Sequence, residues 1–292
     1  MDPGSATVFR GPLPRCRELS LVLEARGIEH DFLQRGDAWV IEVAPPLASR
    51  AYDELTRYAA EAGPPRGAAR VQALFAGAAP ASLGYVMVLV LTAYCAGVNL
   101  FGADWVAVGA LDAAVPGQWW RAFTALTLHV EQEHLLGNLL FGTVAGIAAG
   151  RLLGPGIAWA SVLGAGVFAN LMEMLIAPSD TRAIGASTAV FAALGILSGL
   201  AWRQRLSRRE RSWYAVAPLI AGLCLLTLLG AGGAHVDVLG HGLGFLSGLG
   251  LGWLYARARI PRDRSRTPQV AAGAGAVLAV IAAWALALTR GG

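Results

Sequence analysis

From residue 84 onward the chain is a series of apolar stretches, near 84–102, 133–153, 156–177, 187–202, 213–231, 236–256 and 269–289. A helix rises 1.5 Å per residue, so about 20 residues cross roughly 30 Å of hydrocarbon. In that medium each backbone N–H and C=O has to be satisfied within its own segment, which makes the helix the spanning form for runs of this kind. Composition points the same way: the 292 residues are 55% hydrophobic and 14% charged, too apolar for an ordinary soluble domain of this length. The expectation is an all-α polytopic membrane protein. The fourth stretch is short, about sixteen residues or roughly 24 Å, so one of its ends stops below the membrane surface.

Residues 1–65 are of mixed polarity and read as a small α+β unit in the order β-α-β-β-α. "TVF" is a short strand and "RCRELSLVLEARG" a helix with Leu19, Leu21, Val22 and Leu23 inward. "HDFLQ" and "WVIEV" are strands around the turn "RGDA", and "SRAYDELTRYAAEAG" is a closing helix. Residues 66–83, rich in Gly, Pro and Ala, form a linker. The first 30 residues hold no apolar core behind a basic start, so no cleavable secretory signal is expected and the N-terminus stays in the cytoplasm. Cys16, Cys95 and Cys224 are spaced for neither a disulfide framework nor a metal site.

The formal charge of +4 matters less than where it sits, and nucleic acid is an unlikely partner. Arg66 and Arg70 precede the first stretch, Arg203, Arg205, Arg208, Arg209 and Arg211 follow the fourth, and Arg257, Arg259, Arg262, Arg264 and Arg266 follow the sixth. Arginine-rich loops stay cytoplasmic. The connections after the first, third and fifth stretches, with Arg121 and Arg182 against Asp104, Asp112, Asp180 and Asp237, are therefore extracytoplasmic, and seven spans leave the C-terminus outside.

Polar groups inside spans are costly and are functional candidates by default. Ser187 opens the fourth stretch, His134 and Asn138 lie on one face of the second, and His241 lies about one turn inside the sixth. On the orientation above, all of them fall at extracytoplasmic ends. The sixth stretch also carries Gly240, Gly244, Gly248 and Gly252 at intervals of four, opposite small residues of the fourth (Ala189, Ala192, Ala193, Gly195, Gly199). Such stripes let two helices approach backbone to backbone. His241 is then expected within hydrogen-bond reach of Ser187, where a neutral imidazole can accept the hydroxyl proton. His134, Asn138 and the Ser187 amide can supply donors to an oxyanion, while Gly185 and Ala186 leave room for a substrate backbone. Glu173 is read as interfacial, and Asp237 as a partner for Arg182.

At these residues the chain resembles the rhomboid family of intramembrane serine proteases. The likeness rests on "GQWWRAFTALTLH" with Trp120 and Arg121, "HVEQEHLLGN" with His129, His134 and Asn138, "GAS" with Ser187, and "GHGLGFLSG" with His241, Gly244 and Gly248. It covers residues 84–256, a six-helix core, with 257–292 a basic loop and an extra helix. The resemblance implies Ser187 as nucleophile and His241 as base. It makes His134, Asn138 and the Ser187 amide the oxyanion hole, with Phe191 against the histidine ring and Gly185, Trp120, Arg121, Gly244 and Gly248 in support. It implies neither cofactor nor metal, single-pass transmembrane substrates in the lipid bilayer, and a bacterial inner membrane setting. Two departures stand out: Thr188 replaces a common glycine and is expected to narrow the cleft, and Gly240 replaces a common alanine, expected to be neutral.

The function expected is therefore an endopeptidase cutting single-pass proteins near the extracytoplasmic face. A catalytically inactive relative that binds membrane clients is the alternative, although such chains usually lack the serine or the histidine. A transporter or channel would need further polar residues toward the cytoplasmic side, and the inner halves of these spans offer little beyond Gly, Ala and Leu.

Overall fold

The structure is a computed structural model that describes residues 4–62, 74–207, 216, 217, 220, 224, 237–258 and 266–290. Most of the fifth expected span lies outside the described residues. The chain divides into two compact units, Met1–Gln72 and Ala73–Gly292.

In the first unit, strands β1 (Ala6–Gly11), β2 (His30–Arg35) and β3 (Ala38–Val43) form an antiparallel sheet in the order β1-β3-β2. Helices α1 (Leu13–Ala25) and α2 (Ala48–Ala62) complete the expected β-α-β-β-α order. Cys16, Leu19, Leu23, Ile41, Val43, Ala51 and Leu55 close its core. Leu19 and Leu23 are four apart and face inward together, whereas Leu21 lies between them on the far side of α1 and is 64% exposed. Its expected inward position is thus corrected by the helical period.

The second unit begins with α3 (Ala78–Gly97), which starts several residues before the expected 84 because Ala78, Ala81 and Ser82 continue the helix. The first connection is no simple loop. It folds as α4 (Trp105–Gly109), strand β4 (Leu111–Asp112) and α5 (Arg121–Thr124), and β4 pairs with β5 (Arg182–Ala183) from a later connection. Next come α6 (Gln132–Leu153) and α7 (Pro155–Ile176), then α8 (Ser187–Ser207), α9 (Val238–Ala258) and α10 (Arg266–Arg290). Four of these helices, α3, α6, α7 and α10, are each long and apolar enough to cross a membrane. α8 and α9 are not among the four, since glycines, serines and one histidine dilute their apolar content. The chain is thus a helical multi-pass membrane protein.

α10, the expected seventh span, is fastened at two places. Near its start, Gln269 donates Nε2–H to the Leu153 carbonyl at 3.2 Å and accepts the Ile157 amide at 3.1 Å, so one side chain satisfies the end of α6 and the start of α7. Near its other end, the buried Trp284 indole donates to Thr127 Oγ1 at 3.0 Å and packs on Trp105 with ring centroids 4.4 Å apart.

Candidate functional site

The site is assembled where α8 meets α9. The chain approaches α8 through Gly185, whose φ of 126° favours glycine, and enters the helix at Ser187. α8 and α9 run parallel and interlock through glycines. A Cβ on Gly248 would lie 2.7 Å from the Ala192 carbonyl carbon and 2.9 Å from its Cα. One on Gly252 would lie 2.9 Å from Ile196 Cα, and the Gly244 position faces the Thr188 carbonyl. Reciprocally, Gly195 leaves no room against Phe245 and Leu249, nor Gly199 against Leu249 and Trp253. Four-residue spacing on both helices repeats this contact turn by turn, so the backbones touch without side chains between them.

That contact sets the position of the dyad. His241 Nε2 lies 2.8 Å from Ser187 Oγ, and His241 is only 6% exposed. For the hydroxyl to donate, the imidazole proton must reside on Nδ1. The Phe191 ring packs on the imidazole with centroids 4.6 Å apart, so the aromatic residue four after the serine lies where it was expected. The α8 start also carries unsatisfied amides and a positive dipole end, at the place where a developing oxyanion would sit.

The polar groups from α6 are arranged differently from the sequence expectation. His134 Cε1 and Nε2 occupy the space over Gly185: a Cβ there would lie 2.5 and 2.7 Å from them and 3.6 Å from Ser187 Oγ. Gly185 thus makes room for the His134 ring rather than for a substrate backbone, and the ring comes beside the serine as a result. Asn138 is buried, and its Nδ2 lies 3.0 Å from His129 Nε2, which also accepts the Ala186 amide at 3.3 Å. Nδ2 carries two hydrogens, so one remains after His129 is served. His129, in the connection before α6, is the hub of this group; burial first, and then the neighbouring His134, push its pKa down to about 4. It is neutral at physiological pH and able to accept both hydrogen bonds.

The supporting residues fall into two places. Trp120 is buried in an aromatic cluster with Trp105, Leu128 and Trp284. The buried Arg121 donates to the carbonyls of Ala107 at 3.0 Å and Ala110 at 2.7 Å and to Gln118 Oε1 at 2.6 Å, and so ties the first connection together away from the dyad. Gly244 and Gly248 belong to the α8–α9 contact. Thr188 is buried with its Cγ2 toward Gly244, so its side chain lies in the α8–α9 interface.

Three expectations at this end of the bundle need correction. Glu173 is fully buried rather than interfacial, because the start of α9 packs over its end of α7. Arg182 pairs with Asp112 at 2.9 Å across the β4–β5 pair, and not with Asp237. Asp237 instead accepts the Gly240 amide at 2.7 Å as the residue capping α9. Gly240 is no neutral exchange either, since a Cβ there would meet both the Asp237 and the Glu173 carboxyl groups. No sequence signal joined residues 173, 237 and 240; an acidic residue near a span end ordinarily reads as a headgroup contact.

A serine and a histidine in hydrogen-bond contact, sunk between two helices of a multi-pass bundle, define a class: helical membrane proteins with a buried Ser–His pair inside the bundle. Residues 116–258 match the Rhomboid domain. That stretch of the chain carries the domain of the rhomboid family. It is 31% identical over 176 residues to Rhomboid-like protease 2 of Toxoplasma gondii, an alignment covering 56% of this chain and 59% of that protein. It is 30% identical over 146 residues to Rhomboid protease GluP of Bacillus subtilis, covering 49% of this chain and 28% of that one. Putative rhomboid protease YdcA of the same organism is 28% identical over 139 residues, covering 47% and 68%. The chain thus spans less than two thirds of the length of the first two relatives.

Proposed function

We propose that the protein is an intramembrane serine endopeptidase in which Ser187 is the nucleophile and His241 its general base. The observation that carries this reading is the 2.8 Å contact between Ser187 Oγ and His241 Nε2 inside an apolar bundle. A peptide carbonyl seated beside the α8 start is attacked by Ser187 Oγ as His241 takes the hydroxyl proton. The tetrahedral oxyanion faces the Ser187 amide, the free Asn138 Nδ2–H and the His134 ring. His241 then gives its proton to the leaving amine, and water hydrolyses the acyl enzyme by the same route.

Single-pass transmembrane proteins, unwound near the extracytoplasmic face, are the substrate class proposed. The arginine clusters support an orientation with the N-terminal unit in the cytoplasm and the C-terminal end outside, in a bacterial inner membrane. The domain limits proposed remain 1–65, 66–83, 84–256 and 257–292. The competing reading, an inactive client-binding relative, is disfavoured by the intact Ser–His contact.

A serine-directed fluorophosphonate should label the wild-type protein in membranes and fail to label Ser187→Ala, which should also leave a single-pass reporter uncut. Cleavage by Ser187→Ala would refute the assignment.

A further inference from the structure

We propose that Glu173 is a positioning residue for His241: its carboxyl group shares one proton with Asp237 and so clasps the first turn of α9 to α7. The proposal rests on the reading of His241 as the base. Asp237 stands immediately before α9, where its Oδ1 accepts the Gly240 amide at 2.7 Å and its carbonyl oxygen accepts the His241 amide at 3.1 Å. The residue that starts this helix therefore also sets the backbone of the histidine one turn on.

The other Asp237 oxygen meets Glu173. Asp237 Oδ2 and Glu173 Oε2 both fill the space that a Cβ of residue 240 would need, the latter 2.8 Å from it, and the buried Glu173 carboxyl oxygens have no other hydrogen-bond partner among the described residues. Ionised carboxylates accept and do not donate, so the two groups can be joined only through a proton on one of them. Glu173 is 0% exposed and Asp237 only partly so, which makes Glu173 the proton carrier and its O–H the donor to Asp237 Oδ2. Gly240 is what makes the arrangement possible, since any side chain there would displace the acid pair.

Other ionisable groups near this end of α7 are engaged elsewhere. Arg121 on α5 is turned to carbonyls of its own connection and to Gln118, and Arg182 is paired with Asp112. His241 on α9 faces Ser187, and His134 on α6 faces Gly185. Glu133, at the same end of α6, and Arg290, at an end of α10, are exposed. Asp237 is thus the group that meets Glu173. Loss of the shared proton leaves two like charges side by side at the start of α9. The clasp then opens and the imidazole loses its fixed place against Ser187.

The test compares Glu173→Gln, whose amide N–H can replace the shared proton without titrating, with Glu173→Leu, which removes the bond. Fluorophosphonate labelling of Ser187 and reporter cleavage would be followed in liposomes from about pH 6 to about pH 10. E173L should label at least about tenfold more slowly near neutral pH, and E173Q should recover to within about threefold of wild type. The wild-type rate should fall on the alkaline side, and that fall should move up by about one pH unit or disappear in E173Q. Superimposable alkaline limbs in wild type and E173Q, or wild-type labelling by E173L, would overturn the proposal. If E173L is not recovered folded, the E173Q profile decides alone. Absence of labelling in the wild type itself would instead defeat the Ser187–His241 reading.

Discussion

Adding one methyl group to the glycine contact between α8 and α9 should separate Ser187 from His241, the proposed nucleophile and base. In Gly248→Ala the new Cβ would start 2.7 Å from the Ala192 carbonyl carbon and 2.9 Å from its Cα, both backbone atoms that no rotamer change can move. Carbon atoms rest about 3.5–4.0 Å apart, so the helices must part by roughly 1 Å. Carried to the dyad, that movement stretches the 2.8 Å Ser187–His241 contact to roughly 3.8 Å, beyond hydrogen-bond range. A misplacement of about 1 Å at reacting groups costs on the order of a hundredfold in rate, and overpacking costs about 1–3 kcal/mol of stability. Gly250→Ala is the matched control, because nothing lies within 4 Å of a Cβ at that position on the same helix. Initial rates of reporter cleavage in liposomes, normalised to folded protein, should fall about a hundredfold in G248A and stay within about twofold of wild type in G250A. Equal rates in G248A and wild type would refute the idea that backbone contact sets the dyad distance.

Two further outcomes follow from contacts around the first connection. Trp284→Phe keeps a ring against Trp105 but removes the buried indole donor to Thr127, and should cost about 1–2 kcal/mol in thermal unfolding in detergent; an unchanged melting temperature would count against the brace. His129 has a folded pKa of about 4, below the ordinary 6.5, so its contribution to stability is fully present above about pH 6.5 and is lost as pH falls toward 4. The shift corresponds to about 3 kcal/mol, so wild type should lose more stability than His129→Gln between about pH 7 and pH 4.5, and parallel losses would contradict it.

What the sequence made legible was whatever repeats or stands out chemically. Apolar runs of near-constant length located the helices, and the period-four glycines of α9 placed His241 beside Ser187 before any coordinates were needed. The β-α-β-β-α order of the first unit followed from turns and periodicity in the same way. Leu21 shows the limit of reading apolar residues without their angle on the helix. The connection from residue 98 to 131 was illegible for a different reason. α4, α5 and the β4–β5 pair are too short to have a period, and they are held by distant partners: Arg182 for Asp112, and Trp284 for Thr127. Glu173, Asp237 and Gly240 escaped notice because each has an ordinary explanation alone and only their convergence is unusual. His134 and Gly185 both stood out in the sequence, yet which group fills the space above that glycine depends on packing that local sequence does not encode.

The bond from Trp284 to Thr127 joins residues 157 positions apart. During synthesis, serine and histidine can already be embedded side by side while the stretch that anchors the first connection is still unmade. Closure of that connection therefore follows the making of the Ser187–His241 pair, because it waits on an indole that comes later in the chain.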